Sequence, residues 1–176
     1  MATMTAETAN DFDFDGIEFQ SKLDLPVSHW RWPNFTPDEL ACRGDGKVRI
    51  DENALDMLQA LRDRIGKPMI VNSAYRTPSH NRAVGGAARS MHLLARAYDI
   101  SMDGHDPQEF VAAARAVGFT GIGWYPPKPN GGWNFVHIDT GRRREWGQPW
   151  TAPAAPAPSP SASTSWRDRW GRVRAS

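Results

Sequence analysis

The pattern of apolar residues in this chain predicts an α+β fold: a small, largely antiparallel sheet with flanking helices. Three observations carry that expectation. Residues 69–73, 95–101 and 135–140 have the length of strands, and the last two alternate their side chains from one face to the other. Residues 51–65 and 107–117 repeat apolar side chains at helical spacing, and each run is stopped by a glycine, Gly66 and Gly118. After Trp150 the composition changes abruptly to a Pro/Ala-rich run that cannot bury a core, which ends the domain.

Taken in order, residues 1–25 are polar and acidic and read as a disordered leader. Asp11, Asp13, Asp15 and Gly16 imitate the opening of a calcium-binding loop, but its twelfth position is Lys22, where a bidentate glutamate would be needed. Residues 25–35, with Trp30, Trp32 and two prolines, read as an extended segment packed on the domain. Thr36-Pro37-Asp38-Glu39 is a helix start, with a threonine cap, a proline at the first position and a glutamate placed to reach back. In the next helix Leu55, Leu58, Leu61, Arg62 and Ile65 recur on one face. The buried strand at 69–73 delivers Arg76 from its C-terminal end. The domain spans residues 26–150, followed by a Pro/Ala/Ser linker 151–164 and a basic Trp/Arg tail 165–176 that is either suited to an anionic envelope surface or simply solvated.

Composition narrows the function classes. A length of 176 residues with 40% hydrophobic content suits one modest core plus tails. A net charge of +1 offers no surplus to neutralise phosphates, which argues against nucleic acid as a partner. The single Cys42 excludes an intrachain disulfide, so the fold does not depend on an oxidising compartment, and a monomer is expected. No stretch is long and apolar enough to span a bilayer, and the start lacks the features of a secretory signal. Cytoplasmic accumulation, with action on a target after release, is the expectation.

The chemistry concentrates in His92, Asp99 and His137. Two imidazoles and one carboxylate are the donor set of a catalytic zinc site, whose fourth position stays open for water. On one straight helix the seven-residue gap from His92 to Asp99 would separate them by roughly 10 Å, too far to share an ion. Asp99 and His137 on neighbouring strands about 5 Å apart, with His92 folding over from the preceding loop, would satisfy the geometry.

The runs Ser73-Ala74-Tyr75-Arg76-Thr77-Pro78, Asn81, Gly85-Gly86-Ala87, Ser90-Met91-His92 and Ala97-Tyr98-Asp99-Ile100 resemble the zinc D-Ala-D-Ala carboxypeptidase family of peptidoglycan metallopeptidases. Gly118 to Tyr125 and Phe135 to Gly141 follow in that family's order, and the likeness covers about residues 35–146. It implies the fold shared with the hedgehog signalling domain, a zinc cofactor and a peptidoglycan partner. It implies zinc ligands at His92, Asp99 and His137, an oxyanion-stabilising role for Arg76, and a substrate contact from Ser90; Tyr75 and Trp124 are further candidates for substrate contact. Trp124, Trp133 and Trp146 either line a groove or fill the core.

One departure stands out. Relatives carry an acidic residue three positions before the last histidine, as general base, and this chain has Asn134. An amide cannot take that proton, so either another carboxylate does or the acidity that zinc lends its water suffices. Asp139, on the same strand face as His137, is the candidate catalytic base. Its other reading is an acceptor for the far N–H of a ligand imidazole. His29, His80 and His105 lack partners at ligand spacing and read as surface residues. Three function classes follow: a zinc peptidase cutting peptidoglycan stems or cross-links, of the kind that serves wall remodelling or phage lysis; a metal-retaining wall-binding module with little activity; and a virion or surface structural component.

Overall fold

The computed structural model describes residues 14–128 and 134–151. Among the described residues seven strands and four α-helices follow in the order β1 Glu18–Phe19, α1 Pro37–Leu40, β2 Val48–Arg49, α2 Glu52–Ile65, β3 Val71–Ser73, α3 Pro78–Ala83, β4 Ala97–Ser101, α4 Pro107–Ala116, β5 Gly121–Tyr125, β6 Phe135–Asp139 and β7 Arg144–Trp146. Strands β1 and β2 form a small antiparallel pair. The main sheet has the order β3-β4-β6-β5-β7, antiparallel throughout except for the β5–β7 pair. The α+β expectation therefore holds, with the predicted strands shortened to the residues that pair.

Helices α1, α2 and α4 each begin at a side-chain cap. Thr36 accepts the Glu39 N–H while the Glu39 carboxylate returns to the Thr36 N–H at 2.8 Å, the reciprocal box read from the sequence. Asp51 caps α2 by accepting the Ala54 N–H, and Gly66, at φ +68°, turns the chain out of it. Asp106 accepts two N–H groups at the start of α4.

Strand parity then decides what faces what. Tyr98 and Ile100 of β4, Ile122 and Trp124 of β5, and Val136 and Ile138 of β6 join Leu55, Leu58 and Leu61 of α2 and Phe110, Val111 and Ala114 of α4 in one buried core. Leu58 is fully buried, and its truncation to alanine would cost roughly 2–5 kcal/mol. The alternate residues, Asp99, Gly121, Gly123, Tyr125, Phe135, His137 and Asp139, share the opposite face. That face carries the chemistry.

The leader boundary needs correction. Residues 14–25 belong to the fold, because Phe14 is fully buried in an aromatic cluster with Phe19, Trp30 and Trp32, its ring 5.9–6.2 Å from theirs. Backbone and carboxylate exchange locks this segment to α2: Phe14 N–H donates to Glu52 at 2.8 Å, and Glu52 N–H donates to Asp15 at 2.6 Å. Asp11 and Asp13 lie outside the described residues, as do residues 152–176 of the linker and tail. Within residues 25–35 the backbone is not wholly extended, since Val27–His29 makes a 3₁₀ turn. His105 is buried, not a surface residue. One of its ring nitrogens lies 2.8 Å from the Pro68 carbonyl, and the ring packs edge-on against Phe110.

Candidate metal centre

His92 reaches the centre from a 3₁₀ turn over Met91–Leu94. The turn ends at Ala95, held at φ +57°, a left-handed conformation that costs an alanine roughly 1–2 kcal/mol. That reversal brings the chain back into β4, so a gap too long for a straight helix becomes a short separation in space. Asp99 and His137 are directly paired across β4 and β6.

Three ligand atoms converge. His92 Nε2 lies 3.2 Å from Asp99 Oδ1 and 3.2 Å from His137 Nδ1, and His137 Nδ1 lies 2.8 Å from Asp99 Oδ1. Four donors at about 2 Å in a tetrahedron stand about 3.3 Å apart, so one face of a zinc tetrahedron fits these residues with little movement. Among the described residues this is the cluster of titratable side chains able to hold a metal ion.

The tautomers fit as well. His92 Nδ1 sits 2.6 Å from the Ala74 carbonyl, which can only accept, so the ring donates there and leaves Nε2 with its lone pair toward the centre. His137 is used the other way round: its Nε2 lies 2.9 Å from Asp139 Oδ2 and its Nδ1 faces the centre. Burial pushes the His92 imidazole down and favours its neutral form. Burial also opposes ionisation of Asp99, but its close contacts with the His137 and His92 imidazoles outweigh it and hold that carboxyl well below the usual range. His137 is raised because Asp139 and Asp99 bracket it, more than offsetting burial.

Asp139 is fully buried and has no lone pair to spare for water. It receives His137, the Gly141 N–H at 2.8 Å, and both terminal nitrogens of Arg144 at 3.0 and 2.6 Å. These contacts, led by His137, outweigh burial and keep it ionised. It sits behind the His137 ring, away from the nitrogen that meets Asp99.

The centre lies at the floor of a cleft of about 930 Å³. Arg76 and Ser90 line it, as the sequence leads one to expect. Arg76 pairs with Asp99 through one terminal nitrogen and donates to Ser73 at 2.8 Å. The Ser90 hydroxyl accepts the His92 N–H at 3.3 Å. Tyr125 and Phe135 stack at 4.2 Å on one wall, and Trp146, tilted against His137 at 5.1 Å, donates to the Tyr125 hydroxyl at 3.0 Å.

Tyr75 and Trp124, expected to touch substrate, are not brought to the cleft. Tyr75 lies in a small buried cluster with Cys42 and Ala95 and donates its hydroxyl to Glu18. Trp124 falls on the core parity of β5, donates to Glu145 at 2.6 Å and meets Trp150 edge-on. Trp133 lies outside the described residues. Asn134 precedes β6 and is half-buried, and it is not part of the cleft lining.

Trp146, left open between groove and core by the sequence, lines the cleft, while Arg144 and the glycines of β5 were missed as functional residues. A Cβ on Gly121 would sit 2.3 Å from an Asp139 carboxylate oxygen, and one on Gly123 would sit 2.5 Å from the Trp146 ring. Their period-two spacing opposite Asp139 and His137 was the available signal. Arg144 depends on the turn after β6, for which no local signal exists.

A family model described as Peptidase M15 matches residues 33–139. The Peptidoglycan L,D-endopeptidase MepK of Escherichia coli strain K12 is 35% identical over 104 residues, covering 55% of this chain and 54% of that protein. The Zinc D-Ala-D-Ala carboxypeptidase of Streptomyces albus G is 36% identical over 127 residues, covering 66% of this chain and 49% of that protein. The chain thus spans about half the length of the curated relatives it matches.

Proposed function

The chain belongs to the peptidase M15 family, and from that premise we propose that it is a zinc peptidase hydrolysing amide bonds in the peptide stems or cross-links of peptidoglycan. The observation that carries this reading is the convergence of His92 Nε2, Asp99 Oδ1 and His137 Nδ1 to 2.8–3.2 Å of one another at the floor of an open cleft. Both relatives act on the chemistry their names state, a peptidoglycan endopeptidase and a zinc carboxypeptidase.

Zinc held by these three residues would supply a Lewis acid and lower the pKa of bound water. Arg76 contributes a permanently charged donor beside that centre, anchored by Asp99 and Ser73, where negative charge develops on the oxygen of an attacked amide. Ser90 fixes the start of the turn carrying His92 and offers its oxygen to a substrate donor. Asp139, with Arg144 behind it, holds the His137 ring with Nδ1 forward. Asp99 is the one carboxylate among the cleft-lining residues, and it is committed as a ligand. With Asn134 in place of the acid that relatives carry, the acidity that zinc would lend bound water would have to suffice, with slower turnover than an added base would give. The domain acts as a monomer, and the Trp/Arg tail touches an anionic envelope surface.

Among the described residues no helix is long and apolar enough to cross a membrane. Digestion of purified peptidoglycan by the zinc-loaded protein, with fragments identified by mass spectrometry, tests the reading. Chelator-sensitive release of peptide fragments supports it. Wall binding without any released fragment would favour the second reading, a metal-retaining binding module, which Asn134 makes reasonable.

A further inference from the structure

Two tyrosine hydroxyls in this fold are used in opposite ways. Tyr75 gives its proton to the Glu18 carboxylate inside the fold. Tyr125, 38% exposed on the cleft wall, instead receives a hydrogen bond, from the Trp146 indole N–H at 3.0 Å. An indole nitrogen can only donate, so this bond occupies a lone pair of the phenol oxygen and leaves the phenol its own proton to give. Among the described residues no protein group accepts that proton.

Both rings are held in place. Tyr125 stacks on Phe135, its register partner across β5 and β6, with the rings 4.2 Å apart and 10° from parallel. The Trp146 ring lies over Gly123, its register partner on β5, where a Cβ would come within 2.5 Å of it. The His137 ring and the Arg144 guanidinium, each 5.1 Å away, confine it further. With the indole donor at the lone pair of a fixed phenol oxygen, the phenolic proton is turned away from Trp146. Tyr125 stands two residues beyond Gly123 on β5, and Gly123 pairs with His137, so its backbone lies about 7 Å along the strand from the ligand row. An extended peptide whose scissile amide sits at the metal centre brings a flanking carbonyl to that distance, since it too advances by about 7 Å over two residues.

We propose that Tyr125 donates its phenolic proton to a carbonyl oxygen of an amide flanking the scissile one, and that Trp146 is the positioning residue that aims it. The inference rests on the peptidase reading above and adds an uncharged substrate contact to it. The contact is made to the bound peptide and not to the reacting atoms, so its loss appears in KM rather than kcat.

The test uses the zinc-loaded full chain, its Tyr125→Phe, Trp146→Phe and double variants, a synthetic stem peptide, and the same peptide with its carboxylates amidated. Cleavage kinetics, calorimetric Kd and zinc content are measured in parallel. Phenylalanine at 125 keeps a ring on Phe135, phenylalanine at 146 keeps a ring over Gly123, and unchanged melting temperatures verify that the variants fold. Tyr125→Phe should raise KM and Kd by roughly three- to tenfold on both peptides, with zinc content unchanged and kcat within about twofold of the wild type. Trp146→Phe should produce part of that loss, and the double variant no more than Tyr125→Phe alone, because the indole has nothing to aim once the phenolic proton is gone. Tyr125→Phe without effect, additive losses in the double variant, or a loss confined to the free-acid peptide overturns the proposal. If neither peptide is cleaved and the same pattern appears in Kd, the Tyr125 contact stands and the peptidase reading falls.

Discussion

Asp139 Oδ2 lies 2.9 Å from Nε2 of His137, on the far side of the ring from the nitrogen that meets Asp99. On the proposed reading Asp139 is a positioning residue, and Asp139→Asn should weaken zinc affinity by roughly ten- to a hundredfold, with turnover recovering at high zinc. A zinc-competition titration alongside rate measurements checks this. Abolished turnover with zinc fully retained would instead make Asp139 the base.

Arg76→Lys should lower turnover by roughly ten- to a thousandfold while leaving most of the zinc affinity, because a single ammonium cannot serve Asp99, Ser73 and a developing oxyanion together. Steady-state kinetics and metal content on the same preparation separate the two effects. Wild-type rates would remove Arg76 from the chemistry.

Gly121→Ala should damage the centre without touching a ligand. Its Cβ would lie 2.3–2.4 Å from the Asp139 carboxylate, so that group and the His137 ring behind which it sits must shift. A loss of about 1–3 kcal/mol in stability, with weakened zinc binding, is expected from denaturant unfolding and metal titration. An unperturbed variant would mean the strand pair is looser than its register implies.

Glu18 and Tyr75 make a contact that joins the N-terminal segment to the chain just before Arg76. The bond from Tyr75 lowers the Glu18 pKa below 4.5, so its stabilisation is complete above the unfolded value and is lost as pH falls through the lower folded one. Glu18→Gln should cost about 1 kcal/mol at neutral pH, and its melting curve should converge with the wild type as pH falls through the lowered folded pKa. Tyr75→Phe should lower stability by a similar amount and leave KM and kcat unchanged. A raised KM in Tyr75→Phe would restore the substrate contact expected from sequence.

Much of this arrangement is legible in the chain because it follows from local rules. The period-two pattern of β4 and β6 places Asp99 and His137 on one face, and caps at Thr36 and Asp51 mark two helix starts. What is not legible depends on contacts between distant segments. Phe14 reads as part of an acidic leader until Trp30, Trp32 and Glu52 are seen around it. Trp124 and Tyr125 differ by one residue, and only the register of β5 against β6 shows that Tyr125 meets the cleft while Trp124 enters the core. The Arg144 fork on Asp139 requires the turn after β6, which no residue pattern announces.

The most direct test of the metal centre is elemental analysis of the purified protein beside His92→Ala and His137→Ala. One zinc per chain in the wild type, falling to a small fraction in both variants with the fold retained by circular dichroism, is the expected result. Stoichiometric zinc kept in both variants would contradict the assignment of His92, Asp99 and His137 as the site that holds it.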